Sequence, residues 1–282
     1  MDENKIKALI QLLDDEDKEV YQQVHKELLK LGKSYFDFLR NQYFQQENEL
    51  LKLRIGYILQ ELQGEVVIDK LLNWRKNGGE SLLEGWILVS QYFFPTLNVL
   101  EYKKKINTWV HQIWLKTQPG MKILQKLKVV LQFLKNNLGF SFMPSEDLYL
   151  NADFLFIHHV IDQKKGNTLS LSILLNIIFN QLEVYTHIIS LREYYAIRYL
   201  DHQHHYYIDV FNVDEIFTEN DVKLFLIKLN LDINLLHYKP ISNIYLILFL
   251  LNYAKEMFTQ SQNLEQLYKT EELLNQIDIK FK

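Results

Sequence analysis

Apolar residues recur every three or four positions through the first sixty residues, which predicts amphipathic helices. The apolar stripes lie at 6–13, 20–31, 36–43 and 51–62. An acidic run at 14–17 separates the first two stripes and is suited to cap the second helix. Gly32 and Gly64 are read as the ends of the second and fourth helices. The stripes therefore predict two helical hairpins in succession.

The repeated hairpin pattern resembles a known repeat architecture. The unit LLDDEDKEVYQQVHKELLKLG resembles a HEAT repeat, although a simple helical bundle is the alternative. Further helices are predicted over 67–76, 81–93 and 100–117, with Pro95 and Pro119 as boundaries. We expect the tryptophans in this region to pack between helices; they are Trp74, Trp86, Trp109 and Trp114. Residues 1–118 are thus interpreted as a HEAT-like helical domain.

From residue 119 onwards the pattern mixes helical and strand periods. Helices are predicted over 121–138 and 169–182, the second of them after Gly166. Three alternating or apolar segments follow and predict short antiparallel strands, at 186–191, 194–200 and 206–211. The sequence DHQHH is the predicted turn between the last two strands.

The C-terminal part predicts one more pair of helices, over 241–277, with a polar turn near 260–263. A helical core followed by a short antiparallel sheet is typical of an α+β fold. We therefore predict a predominantly helical α+β protein whose second domain spans residues 119–282.

Composition narrows the classes of function. The chain of 282 residues has a formal net charge of −4, which argues against nucleic-acid binding through phosphate neutralisation. It has no cysteine, which excludes disulfides, Cys-ligated zinc and a thiol nucleophile. Its start lacks the features of a signal peptide, and its most apolar run, 241–253, is shorter than the ~20 residues of a membrane span. We expect a cytoplasmic protein without a membrane partner.

Five segments resemble, in their order and spacing, the bacterial SirB-type branch of transglutaminase-like proteins. They are LKNNLGF, KKG, TLSLSILLNIIFNQLEV, YYAIRYL and YYIDVFN. The likeness covers residues 122–228, and the C-terminal hairpin resembles the tetratricopeptide-like tail that such proteins often have.

The resemblance implies a catalytic site that has degenerated. The wider fold uses a Cys thiolate at a helix N-terminus, a His base on a strand and an Asp that orients the His. Thr168, Tyr194 and Asp209 occupy these positions here. The SirB-type branch generally lacks the Cys but usually keeps the His. Tyr has an ordinary pKa of about 10, so Tyr194 is a poor base near neutral pH.

Other residues offer two further candidate sites. Ser170 with Asp209 and a histidine would form a serine triad, and the candidate histidines are His158, His159 and His187. No Gly-x-Ser-x-Gly turn supports this triad. His202 and His204 are spaced to share one face of a strand and are weak candidates for metal ligands, although solvated turn residues are the commoner interpretation.

Lysines and tyrosines near these segments have two interpretations each. Lys164 and Lys165, like the lysines at 103–105, are either anion contacts or part of a solvated face. The strand tyrosines are expected to form cross-strand pairs, with a binding surface as the alternative; they are Tyr194, Tyr195, Tyr199, Tyr206 and Tyr207.

The function predicted from the sequence is a non-catalytic transglutaminase-like protein that acts through a protein partner and needs no cofactor. The alternative is a residual amide hydrolase that uses a Ser or Thr nucleophile. We expect Asp209 to be partly buried and to accept a hydrogen bond from the Tyr194 hydroxyl or from an amide near Thr168. Loss of the Asp209 carboxylate should then lower the thermal midpoint more than loss of Asp201.

Overall fold

The computed structural model describes residues 3–141, 151–191, 194–228, 230 and 240–278. The fold is α+β and predominantly helical, as the sequence predicts. Helices build the N-terminal and C-terminal parts of the chain, and one small sheet lies between them.

The first helices form the predicted hairpins. They are α1 (Glu3–Leu12), α2 (Lys18–Lys30), α3 (Phe36–Gln45) and α4 (Glu49–Lys76), with a 3₁₀ turn at Gly32–Tyr35. Asp17 caps α2, because its carboxylate accepts the backbone N–H of Glu19 at 2.8 Å.

The predicted helix end at Gly64 is wrong, because α4 is 28 residues long and continues through this glycine to Lys76. A glycine inside a helix costs only about 1 kcal/mol relative to alanine. Apolar residues on both sides of it are buried, including Leu59 and Leu71. Their packing offsets that cost and keeps the helix in one piece.

The remaining helices include the predicted ones, in the predicted order, and two for which no bounds were predicted, Ile157–Gln163 and Glu219–Lys228. They are α5 (Leu82–Phe93), α6 (Val99–Trp114), α7 (Ile123–Gln132), α8 (Ile157–Gln163), α9 (Thr168–Gln181), α10 (Glu219–Lys228), α11 (Asn243–Gln260) and α12 (Leu264–Asp278). A π-helical turn, Phe133–Asn137, extends α7, and a 3₁₀ turn, Ala152–Leu155, precedes α8. The predicted C-terminal hairpin is present as α11 and α12.

Four antiparallel strands pair in sequence order. They are β1 (Thr186–Leu191), β2 (Tyr194–Leu200), β3 (His205–Asp209) and β4 (Phe217–Thr218). In the register, Ile197 lies opposite both Ile188 and Ile208. These three isoleucines join the buried residues of α9 in one cluster. The sheet therefore packs this face against α9.

The other face of the sheet is covered by α10. Ile189, Ala196 and Tyr207 on the strands cluster there with Val222 and Leu226 of the helix. Two different helices thus cover the two faces of the sheet. Because successive side chains along a strand point to opposite faces, they alternate between the α9 face and the α10 face.

The buried apolar residues fall into two main clusters, which meet along α4. One runs from Ile6 to Val66 and the other from Val67 to Ile277. The boundary between residues 118 and 119, the HEAT-like stacking and the tetratricopeptide-like tail all stay predictions.

The tryptophans are only partly as expected. Trp74, Trp86 and Trp109 are buried, and the Trp86 indole N–H donates to the Leu155 carbonyl at 2.7 Å. Trp114 is 61% exposed, so its predicted packing between helices is wrong. This tryptophan ends α6, where no neighbouring helix covers it among the described residues.

None of the helices in the described part of the chain is both long enough and apolar enough to cross a membrane.

Candidate functional site

The start of α9 is shaped by the two residues that precede it. Asn167 caps the helix, and its Oδ1 atom accepts the backbone N–H of Ser170 at 2.9 Å. Gly166 leaves no room for a side chain, since a Cβ atom there would lie 2.5 Å from Ser170 Oγ. The polypeptide is therefore tightly packed where the resemblance places the nucleophile.

Thr168 and Ser170 lie in the first turn of α9. Thr168 is 7% exposed and Ser170 is fully buried. The Ser170 hydroxyl donates to the Asn167 carbonyl at 3.4 Å. Within the described residues, no histidine nitrogen lies within hydrogen-bond distance of either hydroxyl. A nucleophile–base pair of the kind that a serine or threonine hydrolase needs is thus not assembled here.

The position assigned to the base opens β2. Tyr194 lies opposite Leu191 in the register of β1 and β2. The Tyr194 side chain lies outside the described residues, and so does its predicted hydrogen bond to Asp209.

Asp209 is not buried, which corrects the expectation from the sequence. It ends β3 opposite Ala196, on the sheet face that α10 covers. Its carboxylate is exposed and accepts the backbone N–H of Phe211 at 2.8 Å. Its buried neighbours Ile208 and Val210 face the α9 cluster, so the alternation directs Asp209 away from the start of α9.

The carboxylate with many partners belongs instead to Asp201, in the turn between β2 and β3. It accepts the backbone N–H groups of Gln203 at 2.8 Å and His204 at 2.7 Å, and the Tyr199 hydroxyl at 2.8 Å. These hydrogen bonds, led by that of Gln203, hold the pKa of Asp201 well below its usual range. Burial and the bond to Asp201 raise the pKa of Tyr199 to about 12.

The histidines of this turn have structural contacts. His204 Nδ1 lies 3.1 Å from the Asp201 carboxylate, and the His204 ring stacks on Tyr206. Tyr206 also stacks on Tyr199, which confirms one predicted cross-strand pair. In the described part of the chain, no three side chains of the types that bind metals come together around His202 and His204.

A polar cluster that the sequence analysis missed joins α6 to α8. The Tyr102 hydroxyl donates to Asp162 at 2.6 Å, and Lys105 donates to the same carboxylate at 2.8 Å and pairs with Glu101 at 2.7 Å. Partial burial opposes ionisation of Asp162, but the bonds from Lys105 and Tyr102 outweigh it and lower the pKa of this carboxyl. The cluster thus fixes α6 against α8. Only the ion pair between Glu101 and Lys105 was predictable from the sequence, because the two residues are four positions apart on one helix.

His158 lies beside this cluster in an apolar contact. Its ring packs 4.3 Å from that of Phe94 and 4.1 Å from that of His159, measured between ring centroids. Its buried Nδ1 atom has no hydrogen-bond partner among the described residues. Burial, and then the neighbouring His159, lower the pKa of His158 to about 4. His158 is therefore neutral at physiological pH.

The lysines before Gly166 differ from each other. The Lys164 ammonium lies over the Trp109 ring at 4.4 Å and near the Phe140 ring at 5.1 Å, so it stabilises aromatic packing. Burial, and then the charge of Lys105, lower the pKa of Lys164. Lys165 is exposed, as a solvated face predicts.

Two asparagines of α9 close the free edge of β1, and the sequence analysis did not single them out. Asn176 donates to the Thr186 carbonyl at 2.8 Å, and Asn180 Oδ1 accepts the Thr186 N–H at 2.9 Å. The N–H of Ile241 donates to the Ile188 carbonyl at 3.0 Å. A cavity of about 240 Å³ adjoins these residues, but the Asn176 and Asn180 amides that line it are already hydrogen-bonded to Thr186 and to each other.

Comparison with known proteins identifies the family. The sequence profile of the family described as the transglutaminase-like superfamily matches residues 100–252, more than half of the chain. The match runs from α6 into α11 and includes α9 and all four strands. No curated protein matches the chain, and no solved structure does.

Proposed function

We propose that the chain, which belongs to the transglutaminase-like superfamily, is a non-catalytic member that acts as a protein–protein interaction or regulatory module. One observation carries the proposal. The sequence contains no cysteine, and Thr168, which the resemblance places at the nucleophile position, has no histidine beside it among the described residues.

The chemistry of acyl transfer explains why this observation matters. A hydroxyl nucleophile must lose its proton to a base as it attacks, so it needs a base within about 3 Å. The Ser170 hydroxyl donates to its own helix cap, and Thr168 is almost entirely covered. This environment supports a structural role for both residues.

An interaction role is supported by apolar surface on the N-terminal helices. Leu50, Leu53 and Tyr57 share one face of α4 and are 44%, 52% and 48% exposed. Exposed apolar side chains in a row commonly mark a surface that another protein covers. The HEAT-like hairpins and the tetratricopeptide-like tail of the proposal would present such surfaces to partners. SirB-type ancestry and a cytoplasmic location belong to the same proposal.

Two measurements test the two parts of the proposal. Incorporation of an amine into a glutamine-donor protein, and hydrolysis of peptide amides, should both stay at the uncatalysed rate. Affinity capture from the native host should recover a stoichiometric protein partner, and a Leu53→Glu/Tyr57→Glu variant should weaken that capture. Turnover above background that Thr168→Ala or Ser170→Ala abolishes would establish the alternative, a residual amide hydrolase.

A further inference from the structure

The charge of the chain is unevenly distributed. Residues 102–141 contain no Asp or Glu, although the whole chain has a net charge of −4. They contain His111 and eight lysines, which are Lys103, Lys104, Lys105, Lys116, Lys122, Lys126, Lys128 and Lys135. This segment forms α6, α7 and the π turn. A strongly basic region thus lies within an acidic protein.

Most of these lysines are not neutralised by the fold. Lys105 is paired with Glu101 and Asp162, and Lys135 with Asp214. Within the described part of the chain, the contacts of Lys116 are with neutral groups, the Asn137 amide and the Phe133 ring. The other five have no carboxylate partner among the described residues. Their charge is available to a ligand.

The outer face of α6 combines this charge with apolar surface. Lys103, His111 and Trp114 recur at helical spacing and are all exposed, together with Lys104. The buried side chains of the helix point the opposite way; they are Tyr102, Ile106, Trp109 and Ile113. We define the α6 outer face as Lys103, Lys104, Asn107, His111 and Trp114.

Trp114 is the unusual member of this face. Its ring stacks on that of His111, with centroids 6.1 Å apart and planes at 16°, and remains 61% exposed. The next residue, Leu115, is 64% exposed. Tryptophans that protein partners bury are often anchors of an interface, and a polar rim commonly surrounds them.

We propose that the α6 outer face binds an acidic segment of a partner protein, with Trp114 as the apolar anchor and Lys103 and Lys104 as the contacts to carboxylates. This inference rests on the proposed interaction function and names the kind of partner. From residue 103 to residue 114 the face is about 16 Å long, the length of an eleven-residue helix. A short acidic helix or strand covers it.

A protein segment fits this face better than a membrane or a nucleic acid. Trp114 and Leu115 are two apolar side chains, whereas helices that lie in a membrane surface present a broad apolar face. The acidic remainder of the chain repels a long polyanion, while a short acidic segment meets only the basic region. Asn107 on the same face offers directional hydrogen bonds, which protein recognition uses.

Binding of labelled peptides to the full chain tests the inference. The probes are fluorescein-labelled helical peptides of about eleven residues, the length of the face, with Glu on one side and Leu and Phe on the other. A matched peptide with Gln in place of Glu is the control. Fluorescence anisotropy should show binding of the Glu peptides at low salt. Affinity should fall about tenfold or more at ~0.5 M salt, because salt screens exposed charges.

Variants locate the binding surface. Lys103→Glu/Lys104→Glu and Trp114→Ala should each weaken binding about tenfold or more. Lys5→Glu/Lys7→Glu reverses two exposed lysines of α1, gives the same net charge and should leave the affinity within about twofold. All of the replaced side chains are exposed, and circular dichroism verifies that the variants fold.

Several outcomes would overturn the inference. The first is that none of the Glu peptides binds. The second is that the α1 control variant loses as much peptide affinity as the α6 variants. The third is that phosphatidylserine vesicles or poly(U) RNA bind more tightly than the peptides, in a way that depends on Lys103. Amide turnover by the same preparations is measured in parallel. Absent turnover with absent peptide binding removes only this inference, whereas turnover that Thr168→Ala abolishes removes the proposed function itself.

Discussion

Ser170 donates its backbone N–H to the Oδ1 atom of Asn167 at 2.9 Å. One of the amides that a helix leaves unpaired at its N-terminus is therefore bonded within the chain itself. The partial positive charge of a helix start stabilises an anion, and the wider fold is expected to use it for a catalytic thiolate. In this protein the same amide stabilises the helix. The contact supports a structural role for the start of α9, where the resemblance places the nucleophile.

Replacement of the cap measures this structural role. Asn167→Ala should lower the free energy of unfolding by about 1 kcal/mol, because it leaves the buried Ser170 amide without an acceptor. Asn167→Ser keeps an oxygen at the cap and should lose less. Urea denaturation of the two variants gives both values. Equal stability of Asn167→Ala and the natural protein would show that the cap contributes nothing.

Replacement of glycine by alanine should change the stability in opposite directions at two positions, Gly85 and Gly64. A Cβ atom at Gly85 on α5 would lie 2.6 Å from the Trp74 ring, which the hydrogen bond from its indole N–H to the Ser81 carbonyl holds in place. Gly85→Ala should therefore lower the free energy of unfolding by about 1–3 kcal/mol. The Cβ atom of Gly64→Ala on α4 meets no described atom within 4 Å outside its own helix backbone and chain neighbours, so this substitution should raise the free energy of unfolding by about 0.5–1 kcal/mol. Chemical denaturation compares the two variants, and a loss in both would contradict the prediction.

Loss of Asp201 and loss of Asp209 should destabilise the protein to different degrees, according to the number of hydrogen bonds that each carboxylate accepts. Asp201→Ala removes the acceptor of two backbone N–H groups and of the Tyr199 hydroxyl, whereas Asp209→Ala removes the acceptor of one exposed N–H. The order is therefore the reverse of the one expected from the sequence: Asp201→Ala should lower the thermal midpoint by a few degrees, and Asp209→Ala should lower it less. Differential scanning calorimetry of the two variants decides the order.

The contribution of Asp201 should also depend on pH. Its pKa in the folded protein lies below the ordinary value of about 3.9. Its stabilisation is therefore complete above about pH 4 and is lost as the pH falls towards the folded pKa. The difference in midpoint between the natural protein and Asp201→Ala should shrink in acid. If the difference in thermal midpoint instead grew in acid, the pKa of Asp201 would be raised rather than lowered by folding.

His158 should make stability fall in mild acid. Its pKa is about 4 in the fold against about 6.5 in the unfolded chain, so the unfolded chain takes up the proton first as the pH falls below 6.5. Stability is full above pH 6.5 and declines towards pH 4. His158→Phe keeps a ring beside Phe94 but cannot titrate, so its urea midpoint should depend less on pH over this range. His202→Gln in the exposed turn is the control and should keep the pH dependence of the natural protein.

The strands were predictable because each has a short apolar or alternating pattern with clear ends. The predicted limits of β1 and β2 coincide with those observed, and β3 ends two residues early at Asp209. There the Asn212 N–H donates to the Asp209 carbonyl at 3.0 Å and turns the chain. A period of two in the sequence does not reveal a turn of this kind.

The faces of the sheet were not predictable, and the misplacement of Asp209 follows from this. Alternation shows that Ile208 and Asp209 lie on opposite faces, but not which face meets α9. That choice depends on α10, a helix that the sequence analysis did not identify. The cluster of Tyr102, Lys105 and Asp162 escaped prediction for a similar reason, because its hydrogen bonds to Asp162 join residues more than fifty positions apart in the sequence.

The rate of amide turnover tests the central claim most directly. The purified full chain, at high concentration and near neutral pH, is incubated with a glutamine-donor protein plus a labelled amine and, separately, with peptide amides. The proposed non-catalytic role predicts rates equal to those without protein, and identical for the natural chain, Thr168→Ala and Ser170→Ala. A rate above background that falls to background in Thr168→Ala or Ser170→Ala, with the fold intact by circular dichroism, would contradict it.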